Sequence, residues 1–177
     1  MKGNCCLINW IKFASNIFFY QVKKSDKSWL QILQNNDCRE VIAKCVDGNN
    51  LSNAFVRAGV SNHPDILEAF LDQGMNVDIK DRRGFTALIY ASDNGYLESI
   101  RLLLQHNANS DVQSKLGLTA LMYASRRSHK EIVQLLLDHN AEKDLKNRNG
   151  QTALELAKTQ EIKEMIQNHV NTSYILK

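Results

Sequence analysis

A fixed interval governs the middle of this chain. Gly84-Phe85-Thr86-Ala87-Leu88, Gly117-Leu118-Thr119-Ala120-Leu121 and Gly150-Gln151-Thr152-Ala153-Leu154 align, and their glycines stand 33 residues apart. The same register carries Tyr90-Ala91-Ser92 onto Tyr123-Ala124-Ser125, Ile100 to Leu104 onto Val133 to Leu137, and His106-Asn107-Ala108 onto His139-Asn140-Ala141. A unit this short cannot bury its apolar face alone, so successive units must stack on one another as a solenoid.

Local chemistry explains the recurring positions. Gly84, Gly117 and Gly150 suit turns that need a positive φ. Thr86, Thr119 and Thr152 follow where a first helix should begin, and a threonine cap there is worth about 1 kcal/mol. Leu88 and Ala91, Leu121 and Ala124, and Leu154 and Ala157 fall three apart on one helical face. Leu102 to Leu104 and Leu135 to Leu137 predict a second helix buried between layers. Asn107 and Asn140, with Gly74 before them, stand where a helix closes in the left-handed conformation. Pro64 suits a helix start, where its missing amide does no harm.

Thr86-Ala87-Leu88-Ile89-Tyr90-Ala91 and its copies at Thr119 and Thr152 resemble the T-P-L-H-x-A signature of the ankyrin repeat family, over roughly residues 48–170. The resemblance implies an all-α solenoid of stacked helix-turn-helix repeats joined by β-turn or hairpin loops, with an N-terminal helical cap. The expected plan is an apolar segment and linker over 1–27, a cap over 28–47, a repeat domain over 48–170 and a tail over 171–177. Within the domain, 48–80 is degenerate, 81–113 and 114–146 are full, and 147–170 is shortened. Glu161-Ile162 follows Glu131-Ile132 by 30 residues rather than 33, which predicts a loop three residues shorter between the last two helices. Ala87, Ala120 and Ala153 stand in place of the family proline, and Ile89, Met122 and Glu155 in place of its histidine. Both departures imply a less rigid stack.

With 177 residues, 44% apolar content, one proline and a net charge of +3, the chain reads as one elongated soluble domain, and it has no twenty-residue apolar run. Cys5, Cys6, Cys38 and Cys45 lie outside the full repeats without zinc-like spacing and read as reduced thiols. Leu7, Trp10, Ile11, Phe13, Ala14, Ile17 and Phe18 recur at helical spacing within residues 1–20. That segment reads as a helix covering the open end of the solenoid, as a membrane-surface or export segment, or as a tail.

No phosphate loop, nucleophile elbow or HExxH pattern is present, and Asp78, Asp111 and Asp144 follow the repeat as scaffold residues. His106, His139 and His169 recur at the ends of second helices about 8–10 Å apart, too far to converge on one metal. The expectation is a binding module, not an enzyme, with no metal and no cofactor.

The first 47 residues carry seven Lys or Arg against four Asp or Glu, which accounts for the whole net charge; the remainder carries 15 of each. Within that neutral remainder the signs separate. The resemblance implies a concave partner-binding surface made of turn tips and first helices, which the register maps to Arg82, Arg83, Phe85, Asp93, Asn94, Lys115, Leu116, Leu118, Arg126, Arg127, Arg148 and Asn149. Asp65, Glu98, Glu131 and Glu161 instead start the second helices. A basic groove with apolar anchors suits an acidic protein partner. Nucleic acid or an anionic membrane held by the same arginines is the alternative. A monomer in the cytoplasm is expected. The richness in Asn, Lys and Ile resembles AT-rich intracellular bacteria that carry such repeats, for which export into a host cell would follow.

Overall fold

The computed structural model describes residues 55–169, apart from 57 and 73. The cap over 28–47, the segment over 1–20, the four cysteines and the tail over 171–177 lie outside the described residues. Helical residues Phe55, Val56 and Ala58 to Val60 precede α1 (Pro64–Asp72). Three helix pairs follow: α2 (Ala87–Asn94) with α3 (Leu97–Gln105), α4 (Ala120–Arg127) with α5 (Lys130–Asp138), and α6 (Ala153–Leu156) with α7 (Gln160–Asn168). Among the described residues there is no strand. First helices form one layer, with α4 packed between α2 and α6. Second helices form the other, in the order α1, α3, α5, α7.

The helix ends follow from the residues at them. Thr86 accepts a hydrogen bond from the Ile89 amide at 3.2 Å and Thr119 from the Met122 amide at 3.3 Å. Thr152 does the same for Glu155, whose carboxylate accepts the Thr152 amide at 2.7 Å and completes a capping box. Asn107, Asn140 and Gly74 all hold positive φ, at 60°, 59° and 77°. Pro64 opens α1 as expected.

Leu88, Ile100, Leu103, Leu121, Val133 and Leu136 make the core between the layers, each at most 1% exposed. Ile89 and Met122, standing where the family has histidine, are equally buried and bring apolar contact to those positions. Leu102 and Leu135 are only half-buried, because three consecutive helical positions cannot all face one layer. The last pair also departs from expectation. Its connector is Ala157 to Thr159, no shorter than the two residues in the pairs before it. The missing length comes out of α6, which ends after one turn where Ala157 turns extended.

Each unit begins in a short hairpin. Asp81, Ser114 and Asn147 donate their amides to the carbonyls of Phe85, Leu118 and Gln151 at 2.9, 3.0 and 2.9 Å. Their side chains close the same turns: Asp81 Oδ1 accepts from Arg83 and Phe85 amides, Ser114 Oγ from Leu118, and Asn147 Oδ1 from Asn149 and Gln151. Neighbouring tips are then tied by backbone bonds, Lys115 N–H to Arg83 O at 2.9 Å and Arg148 N–H to Leu116 O at 3.1 Å. Asp78 and Asp111 are indeed scaffold residues, accepting the Asn109 and Glu142 amides of the following unit at 3.0 and 2.8 Å.

Candidate partner-binding surface

The tips and the first helices bring aromatic rings and guanidinium groups together across two units. Phe85, on the tip before α2, lies 4.8 Å from Tyr90 and 5.4 Å from Tyr123 between ring centroids. Arg83 covers this cluster from one side, with its guanidinium 4.8 Å from the Phe85 centroid and 5.4 Å from that of Tyr90. Arg126 covers it from α4, 4.8 Å from the Tyr123 centroid. Cations over aromatic faces are held by the ring quadrupole, which fixes long side chains that would otherwise sample many rotamers.

Hydrogen bonds lock the Arg83 side. Its guanidinium donates to the Tyr90 hydroxyl, which donates in turn to Asp81 Oδ2 at 2.8 Å, and Arg83 Nε stands 3.6 Å from the same carboxylate. Burial alone would raise the Asp81 pKa. The amides of Phe85 and Arg83, the Tyr90 hydroxyl and the Arg83 charge outweigh it and hold the carboxyl below its ordinary range. Burial and the bond to Asp81 raise Tyr90, so its hydroxyl keeps the proton it donates. Burial also raises Tyr123.

On the other flank Asp93 of α2 receives Arg127 Nε and Nη2 at 2.7 and 3.3 Å, and Arg126 Nη2 lies 3.7 Å away. The positive charge expected along this face is therefore partly met from within. Arg82, Lys115 and Arg148 differ: all three are exposed and carry no side-chain hydrogen bond or ion pair among the described residues. They are also register equivalents, one per tip. Leu116 beside them is 58% exposed. Asn94 and Asn149 are exposed, and Phe85 is half-buried.

Leu118 must be removed from the expected contact set. It is 6% exposed and packs into the core, whereas Phe85 at the equivalent position one unit earlier is half-buried. Asp81, Tyr90 and Tyr123 lie in the same cluster as Arg83, Phe85 and Arg126 but outside the expected set. The two tyrosines come from the repeated Tyr-Ala-Ser, which gives way to Leu156 in the third unit. His106, His139 and His169 cap the ends of α3, α5 and α7, and no group of three metal-ligating side chains occurs among the described residues. No described helix is long and apolar enough to cross a membrane.

A family model described as ankyrin repeats in three copies matches residues 18–114 and 106–171. Among solved structures, the crystal structure of the ankyrin repeat domain of Bcl-3, described as a unique member of the IkappaB protein family, is similar at 30% identity and a TM-score of 0.63. That match takes in 65% of this chain and 51% of the other, so the chain spans about half the length of that relative. A search of the curated proteins found no match. The family model covers most of the sequence, and threonine-capped first helices, tied hairpin tips and a second layer of apolar helices are the architecture it requires: the chain belongs to the ankyrin repeat family.

Proposed function

We propose that this protein binds an acidic surface of another protein through the tips and first helices of its repeats. Ankyrin repeats generally mediate protein–protein interaction, as a scaffold rather than a catalyst. The observation that carries the finer reading is the Arg83–Phe85–Tyr123–Arg126 stack, which spans two units and presents guanidinium faces already fixed in place. A preorganised cation loses little side-chain freedom on meeting a carboxylate, so more of the interaction appears as affinity. Arg82, Lys115 and Arg148 extend the same sign along the tips, with Leu116 as an exposed apolar contact among them.

The test is affinity capture with three forms of the protein: wild type, the double variant R83Q/R126Q, and R101Q on the exposed side of α3. Proteins retained by wild type and by R101Q should be lost from R83Q/R126Q. Retention by all three forms refutes the assignment of the surface. Displacement of captured proteins by single-stranded DNA, but not by polyglutamate, would transfer the surface to nucleic acid.

A further inference from the structure

We infer that the partner segment is an extended acidic chain with a carboxylate at every third residue, lying along the tips so that successive carboxylates meet Arg82, Lys115 and Arg148. This inference rests on the acidic-partner reading and adds a conformation and a spacing to it.

Three observations lead there. Arg82, Lys115 and Arg148 occupy one register position, 33 residues apart, and each is exposed without a side-chain partner among the described residues. Their backbones are held at a set distance. Each tip is a hairpin, and each hairpin bonds to the next through Lys115 N–H to Arg83 O and Arg148 N–H to Leu116 O. One unit therefore spans two strand-to-strand steps, about 9.5 Å, in keeping with helices stacked about 8–10 Å apart. Finally, no carboxylate occurs in Arg82-Arg83-Gly84, Lys115-Leu116-Gly117 or Arg148-Asn149-Gly150, and Asp81 at the base of the first tip is turned to Tyr90 and Arg83, so the exposed row is of one sign.

Only some ligand conformations match that step. A polyproline II chain has three residues per turn and rises about 3.1 Å per residue, so every third side chain returns to the same side after about 9.3 Å. A β-strand sends its third side chain to the opposite face. A helix reaches the spacing only at every seventh residue, about 10.5 Å, and drifts by about 20° at each step. The exposed Leu116 favours prolines between the acids, since a polyproline II ligand presents apolar rings beside its polar positions.

NMR titration of the full chain with three synthetic peptides tests the inference. One repeats Glu-Pro-Pro three times; the second holds the same residues with its glutamates in one block; the third is an alanine-rich helix with glutamate at every seventh position. The triple variant Arg82→Gln, Lys115→Gln and Arg148→Gln alters exposed side chains with no hydrogen bond or ion pair among the described residues, and its circular dichroism should match wild type. The expected result is binding of the Glu-Pro-Pro peptide on the order of tenfold tighter than the block peptide, the worth of the two exposed ion pairs that the block cannot make, and loss of that preference in the triple variant. Equal affinity for the spaced and block peptides overturns the ladder while leaving the acidic-partner reading intact. A preference for the helix, or for a nine-residue oligothymidine, overturns it in favour of that ligand. Failure of every acidic probe to bind overturns both readings.

Discussion

Gly117 and Gly150 share a conformation but not a neighbourhood, and alanine at each separates two effects. Both hold a left-handed φ, +75° and +77°. A Cβ on Gly150 would meet nothing within 4 Å, whereas one on Gly117 would stand 2.9 Å from Arg148 N and 3.0 Å from Asn147 Cα. Those are backbone atoms of the next tip and have no rotamer by which to move aside. G150A should therefore cost only the left-handed strain, about 1–2 kcal/mol. G117A should cost that and also displace the adjoining tip, losing the Arg148 N–H to Leu116 O bond, a further 0.5–1.5 kcal/mol or about that. The difference between the two variants is thus about 1 kcal/mol. Urea unfolding followed by far-ultraviolet circular dichroism resolves it, since a slope of about 2 kcal/mol/M separates the midpoints by about 0.5 M. Coincident midpoints would refute the reasoning. They would mean that the bonds between tips contribute nothing and that the spacing of Arg82, Lys115 and Arg148 is not held by the backbone.

Two further outcomes follow from the core and the Asp81 network. L136A, at a side chain with no exposure, should lose about 2–5 kcal/mol in the same unfolding experiment, and L135A on the half-buried neighbouring position clearly less. The Asp81 carboxyl is held below its ordinary value in the folded protein. Its contribution is present above the unfolded pKa of about 3.9 and is lost as pH falls through the native value. Melting temperatures measured from pH 5 down to pH 2 should therefore fall more steeply for wild type than for D81N, and parallel curves would show that the network does not stabilise the fold.

What the sequence disclosed was mostly local. Threonine caps, left-handed asparagines and the proline at the start of α1 depend on residues within one turn, and each stands where expected. Contacts between units were harder to read. Asp93 meets Arg127, 34 residues on, and that pairing cancels part of a charge that a linear count leaves free. Leu118 shows the limit of register: Phe85, its equivalent one unit earlier, is half-exposed against Tyr90 and Tyr123, while Leu118 itself turns inward to the core. The shortened last unit shows another. Deleted residues can be taken from a helix or from a loop, and here the helix lost a turn because Ala157 leaves the helical conformation while the step to α7 must still be bridged.

That one-turn helix makes the face of tips and first helices lopsided. Tip cations continue as far as Arg148, but α6 ends before any counterpart of Arg126 or Arg127, and Leu156 takes the place of Tyr90 and Tyr123. A ligand laid along the row would run beside two-turn first helices over most of its length and a one-turn helix at the last unit. For a chain bound as proposed, head and tail would not be interchangeable, and the length of a single helix would set the direction in which it runs.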